Sequence, residues 1–216
     1  MKFCLVLLIC CFISNAFGQK PCTTKYSKRS GVCKAPKLCT GALMNNLCTG
    51  SNKCCVEDTN IPDTSPTFIT KAQLISILGV NNTRTNTIYR TLIAPKSNPT
   101  CFQVASFISQ LAHECENMMS AEETGTSSYF NMYQNKTDLN NMTPGDGEKF
   151  KGRGFIQITG RANYKSAGAA LGLNLETDPE LAAFPSVAAK IAVWFWTSGS
   201  SIDLNTLGDG TFYSYS

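Results

Sequence analysis

The stretch LAHECENMMSAEE, residues 111–123, carries carboxylates at Glu114, Glu116, Glu122 and Glu123. Two carboxyl groups can cleave a glycosidic bond. One, protonated, delivers its proton to the leaving oxygen, while the other attacks the sugar or activates a water. Glu114 suits the acid role, because it sits near the end of a helical pattern beside apolar positions. Partial burial and the negative end of the helix dipole both favour a retained proton there. Glu123 lies nine residues on, and in one continuous helix the two side chains would point to opposite faces. Pairing them requires the helix to break after about Glu116, where Asn117 and Ser120 provide breaking residues. Without that break, Glu116, Glu122 and Glu123 are ordinary solvated rim charges.

A second group of polar residues is in FIQIT, residues 155–159. As a strand, it turns Phe155, Gln157 and Thr159 to one side and Ile156 and Ile158 to the other. Asn163 and Tyr164 follow closely. Amides and hydroxyls at a cleft wall suit the acetamido groups of N-acetylated sugars, which need both a donor and an acceptor. A solvated edge strand would show the same pattern. The single histidine, His113, lacks the second histidine of a His-Glu-x-x-His zinc site, since position 117 is Asn. Cys115 is two residues away and about 200° around a helix, too far round for a Cys–His peptidase pair. Packing or orienting a neighbour is the role left for His113. The glycines of KGRG, 151–154, lack the GK[ST] of a phosphate loop.

The elements that position these residues read mainly as helix. Thr70-Lys71-Ala72-Gln73 and Thr100-Cys101-Phe102-Gln103 are capping boxes, and Gly79 can close the first helix. In the second, Cys101, Val104, Ala105, Ile108, Leu111, Ala112 and Cys115 recur at three- and four-residue steps, which predicts a core-facing stripe. A Gly-, Ser- and Asn-rich region runs from 124 to 147 and ends in the turn PGDG. FIQIT is the expected small sheet, and RANYKSAGAALG and SVAAKIAVWFWTSG return to helix. The expected fold is mainly α, lysozyme-like α+β: a two-lobed helical domain with a small β element and a central cleft.

Ahead of that domain, residues 1–18 have the layout of a secretory signal peptide: one lysine, an apolar run, and Ala16 and Gly18 before the cut. Cleavage takes the formal charge from +4 to +3, since Lys2 leaves. That mild balance suits an anionic wall polymer weakly. No basic run suited to nucleic acid is present, and no later stretch is apolar and long enough to span a membrane. Cys22, Cys33, Cys39, Cys48, Cys54 and Cys55 predict a disulfide module over 19–56, with connectivity open among fifteen pairings. Zinc is the weaker alternative, because no Cys-x-x-Cys pair occurs. Residues 57–66, with two prolines, read as a linker before a domain spanning 67–216. Cys101 and Cys115 would lie about 21 Å apart on one helix, beyond the roughly 7 Å limit for a disulfide. They are expected to be buried free thiols. Asn81, Asn135 and Asn141 head N-glycosylation triplets.

FISQLAHEC, an acidic pair eight and nine residues past Glu114, PGDGEKFKGRGFIQITGRANY and DPELAAFPSVAAKIAVWFW together resemble glycoside hydrolase family 19. That family contains chitinases and endolysins that cut peptidoglycan, and the resemblance runs from about residue 68 to 208. It implies Glu114 as general acid and Glu123 as general base, with Glu122 as a stand-in for it. It also implies that Thr159 helps hold the attacking water, that Gln157 and Asn163 bind sugar, and that Tyr164 lies beside them. The reaction inverts the anomeric centre and needs no metal or cofactor. The partner is a polysaccharide, chitin or peptidoglycan, and a monomer is expected. The Cys-rich module resembles small segments that precede secreted wall hydrolases. Cys115 departs from the usual Ser or Thr. Relatives continue past a GDF-like segment where this sequence reads GDGTFYSYS, so either the sequence is truncated or the last lobe is trimmed. The family name favours chitin, whereas the compact spacing and basic charge lean towards peptidoglycan. The competing readings are a non-catalytic glycan-binding or antimicrobial protein and, more distantly, a Cys-dependent amidase.

Overall fold

The computed structural model describes residues 20–62, 66–116, 118 and 120–207. The expected signal segment 1–18 and the closing stretch 208–216 lie outside the described residues, as do 63–65 of the expected linker. No described helix is long and apolar enough to cross a membrane.

Strands β1 (Pro21–Thr23), β2 (Ser30–Lys34), β3 (Ala42–Met44) and β4 (Lys53–Val56) form an antiparallel sheet in the order β1-β2-β4-β3. A segment this short cannot bury enough apolar surface to hold itself together, so sulfur does part of the work. Three disulfides, Cys22–Cys54, Cys33–Cys48 and Cys39–Cys55, tie the strands and their loops. Cys39 and Cys55 also form a small buried cluster with Leu43.

The helical part begins with α1 (Lys71–Leu78), α2 (Thr83–Thr91) and α3 (Cys101–Glu114). Both capping boxes form: Thr70 and Thr100 each accept from the backbone of the residue three on, and each glutamine reaches back to the cap. Gly79 closes α1 in the left-handed conformation at φ 68°. Helix α3 stops at Glu114, where Cys115 leaves helical geometry and Glu116 and Met118 take φ of 50° and 60°. Then come α4 (Asp146–Lys149), α5 (Arg161–Leu171) and α6 (Pro185–Trp194).

The apolar stripe of α3 is buried from Phe107 onward, through Ile108, Leu111 and Ala112 to Cys115. Phe107 meets Trp196 edge-on at 5.2 Å. The first turns depart from expectation. Cys101 is an exposed thiol, and Val104 and Ala105 line an open groove with Phe68, Ile69 and Ile77. This end of the helix runs past the core. Cys115 is buried as expected, and burial pushes its thiol up to about 12.

The expected small sheet at FIQIT is instead a turn. Gly154 at φ 79° and Gln157 at φ 50° cannot continue a strand, and only an isolated bridge between Arg153 and Ile158 remains. The described sheet lies in the Cys-rich module.

That module shares a core with the helices: Cys22, Cys33, Ala42, Met44 and Cys54 belong to the same buried cluster as Leu74, Ile88, Phe107 and Phe155. Polar ties reinforce the junction. Glu180 accepts from the backbone N–H of Tyr26 and Ser27 at 2.9 and 2.7 Å, Arg29 pairs with Asp178, and buried Arg84 donates to the carbonyl of Gly41 at 2.8 Å. Asp58, inside the expected linker, is buried and accepts from the amide and hydroxyl of Ser186 at 2.9 and 3.0 Å. The start of 57–66 is therefore a structural tie, because its acid ends at the N-terminus of α6.

Candidate active site

After α3 ends, the chain reverses and runs antiparallel to 152–154. The Glu123 N–H donates to the Gly152 carbonyl at 2.9 Å, and the Gly154 N–H donates to the Ala121 carbonyl at 2.9 Å. A bridge joins Glu122 to Arg153. Successive residues of extended chain point to opposite sides, so the two adjacent glutamates have different surroundings.

Glu122 points inward and is 5% exposed. Its Oε1 accepts from Arg153 Nε at 3.0 Å and lies 3.4 Å from Lys151 Nζ, while its Oε2 accepts from the Asn45 N–H at 2.8 Å. Burial and these cations lock it into the framework. The expectation that Glu122 could stand in as base is overturned, since every side of its carboxylate is occupied. It is not a solvated rim charge either.

Glu123 is half-buried on the other face. One oxygen accepts from the Tyr133 hydroxyl at 2.9 Å and the other from the Gly152 N–H at 2.9 Å. No cation neutralises it among the described ion pairs. Burial and the bond to Glu123 push the Tyr133 hydroxyl up to about 12, so it stays a donor. Tyr133 ends the short turn Tyr129–Tyr133, and the loop around it is well tied. Gln134 Nε2 donates to the carbonyls of Asn141 and Thr143 at 2.9 and 3.0 Å, and its Oε1 accepts from Gly145 and Gly147 at 3.1 and 3.2 Å. Asn141 is fully buried, donates to the Tyr133 carbonyl and accepts from the Arg161 N–H. It has no room for a glycan.

Gly152 marks where Glu123 and Gln157 meet. A Cβ at 152 would lie 2.8 Å from Gln157 Oε1 and 3.2 Å from Glu123 Oε2. Gln157 is half-exposed, and its Nε2 donates to the Gly154 carbonyl at 2.7 Å. Its left-handed backbone is a costly conformation for a non-glycine residue and marks a functional candidate. Thr159, also half-exposed, donates to the Gln157 carbonyl at 3.0 Å, and Asn163 Nδ2 donates to the Thr159 carbonyl at 2.8 Å. Gln157, Thr159 and Asn163 are thus linked to one another, and Gln157 and Glu123 both lie beside Gly152.

Tyr164 departs from its expected place beside the sugar. It is fully buried, donates to the Lys151 carbonyl at 2.7 Å and accepts from Arg153 at 3.1 Å. Packed on α5 beneath the turn, it supports Arg153 and cannot touch a ligand.

Glu114 stands exposed on the last turn of α3, not half-buried, and accepts from Gln110 Nε2 at 2.7 Å. It borders an apolar cavity of about 390 Å³ with Gln110, Ile156, Phe195, Trp196, Leu204 and Leu207. His113 is exposed rather than packed. Tyr133 and Gly152 were missed at the sequence level. Nothing in spacing signals Tyr133, whereas Gly152 lies in KGRG, a glycine pair with no phosphate-loop context.

The family model described as chitinase class I, glycoside hydrolase family 19, matches residues 80–203, more than half of the chain. The chain belongs to family 19. Among curated relatives, chitinase 8 of Oryza sativa subsp. japonica is 38% identical over 96 residues, covering 44% of this chain and 34% of that protein. Acidic endochitinase Q of Nicotiana tabacum is 34% identical over 95 residues, 44% of this chain and 34% of that one. A family 19 domain-containing protein of Haemophilus influenzae is 36% identical over 76 residues, 35% and 38% of the two chains. The chain spans about a third of the length of the curated relatives it matches. Among solved structures, a bacterial family 19 chitinase superposes with a TM-score of 0.51 at 25% identity, covering 65% of this chain and 74% of that one. The family 19 architecture therefore covers the segments that carry Glu114, Glu123 and the Gln157–Asn163 turn.

Proposed function

We propose that this chain is a secreted, inverting, endo-acting glycoside hydrolase that cleaves β-1,4 bonds in N-acetylglucosamine-containing polysaccharide, chitin foremost. The observation that carries this is Glu123: a carboxylate held by two neutral donors, half-open and not neutralised, beside a turn of amides and a hydroxyl. A carboxylate so held is oriented and still free to accept a proton.

In the mechanism, Glu114 donates its proton to the glycosidic oxygen as the C1–O bond breaks. Glu123 accepts a proton from a water that attacks C1 from the opposite face, which inverts the anomeric centre. Thr159 helps hold that water, while Gln157 and Asn163 contact acetamido or hydroxyl groups. The apolar wall of Ile156, Phe195 and Leu204 beside Glu114 gives a sugar a dry face to lie on. Secretion is supported by the signal layout of 1–18 and by three disulfides, which persist in oxidising compartments.

Incubation with chitin oligomers and with purified peptidoglycan, followed by product mass and the anomeric form released, tests the reading. Cleavage with initial release of the inverted anomer is expected, and Glu114→Gln abolishes it while the fold is kept. Tight binding with no product from either polymer would favour a glycan-binding protein instead.

A further inference from the structure

We propose that Asn45 and Asn46 of the disulfide module are positioning residues for the reaction, which makes the module part of the catalytic apparatus. This rests on the reading of Glu123 as the base. The two asparagines occupy the loop between β3 and β4 and reach the segment that carries Glu123 from behind. Asn45 Nδ2 donates to the carbonyl of Glu122 at 2.5 Å, and its backbone N–H donates to the Glu122 carboxylate at 2.8 Å. Asn46 Nδ2 donates to the carbonyl of Gly125 at 2.8 Å. The backbone is therefore gripped on both sides of Glu123, at 122 and at 125.

Several features make this grip stiff. Asn45 is buried, and Asn46 adopts φ 60°, a conformation asparagine tolerates better than most residues. The Cys33–Cys48 disulfide anchors the middle of the loop to β2. On the helical side, Ser120 Oγ donates to the same Glu122 carbonyl at 3.0 Å. After α3 stops, the described residues 116, 118 and 120–125 form no helix or extended ladder of their own. Their backbone is tied to 152–154 by single bonds, the carboxylates of Glu122 and Glu123 by Arg153, Lys151, Tyr133 and Gly152, and the carbonyls at 122 and 125 by the module. A general base must stand within a fraction of an ångström of its water, and a displacement of about 1 Å can lower the rate about 100-fold.

The test compares Asn45→Ala, Asn46→Gly and the pair with Arg29→Ala. Gly at 46 keeps the left-handed backbone while removing the amide. Arg29 ties the module to Asp178, away from the Glu123 segment. The expected result with an N-acetylglucosamine hexamer is a kcat lowered about 10- to 100-fold in the asparagine pair, with KM within about twofold. Arg29→Ala lowers the melting temperature but leaves kcat within about twofold. The proposal falls if the asparagine pair keeps wild-type kcat, if its whole loss is in KM, or if Arg29→Ala loses as much. Should the pair fail to fold, Asn46→Gly alone decides by the same criteria. Glu114→Gln is run alongside. If it abolishes cleavage while the asparagine pair is unaffected, the enzymatic reading stands and only the positioning proposal is lost. A wild-type chain that cleaves nothing overturns both.

Discussion

Glu122 and Glu123 are neighbours in sequence and opposites in setting. Behind the segment, Glu122 is buried, faces Arg153 and Lys151, and takes the Asn45 amide. In front, Glu123 is half-open and held by Tyr133 and Gly152. The pair shows that a carboxylate's use follows from the saturation of its oxygens and not from its place in a cluster. A buried acid with cations on it gives the fold a fixed point, whereas a tethered but unpaired acid can accept a proton.

The largest expected effect separates the two directly. Glu123→Gln should lower kcat about 10²- to 10⁴-fold on chitin oligomers with little change in melting temperature, as loss of the proposed general base would. Glu122→Gln should cost about 3–5 kcal/mol in chemical denaturation by leaving Arg153 and Lys151 buried without their acid. If the two variants exchange phenotypes, the assignment of roles is wrong.

Gly152→Ala sharpens the comparison from the front. The added methyl collides with the ends of Gln157 and Glu123 and not with backbone. We expect about a 10-fold or greater fall in kcat with cooperative unfolding kept. Activity equal to wild type would mean that neither side chain needs its present position.

The back of the molecule also has a pH signature. Burial alone would raise the Glu180 carboxyl, but donors from Ser27 and Tyr26 outweigh it and hold it below its ordinary value of 4.5. Its folded pKa lies below the unfolded one. The stability it supplies is therefore fully present above that ordinary value of 4.5 and lost as pH falls through the folded value. Melting temperature should drop more steeply on acidification in wild type than in Glu180→Gln, and parallel curves would remove Glu180 from the junction.

The smallest effect concerns the thiols. In the folded chain from residue 19 onward, an alkylating reagent should label exposed Cys101 and spare Cys115, whose thiol burial pushes up to about 12. Hydrolysis should continue unchanged. Loss of activity on labelling would revive a thiol-dependent mechanism.

Much of this was readable in order along the chain. Both capping boxes and the glycine closing α1 follow from local backbone chemistry, which acts over three or four residues, whereas the residues leave the break after α3 open, and it comes earlier than Asn117, at Cys115. The disulfide character of the module was evident from cysteine density, but its connectivity was not, since six cysteines satisfy many pairings equally. FIQIT has the alternation of a strand, yet Gly154 permits a tight turn. Alternation cannot distinguish the two when Phe155, Ile156 and Ile158 are all buried. Tyr164 follows the polar turn in sequence and lies beneath it in space, because a helix starting at Arg161 turns position 164 into the core.

What the residues alone determined is the inventory and part of its local geometry: a capped helix with an acid near its end, a second acid nine residues on, a run of amides and hydroxyls after a glycine pair, and a sulfur-stapled module. What only the tertiary structure decided is which of two adjacent glutamates stays available. That choice comes from Asn45, 77 residues away, and Arg153, 31 residues away, whose approach depends on how two separately patterned regions share one core. Short-range spacing encodes conformation, but charge neutralisation is set by contacts whose partners no local period records.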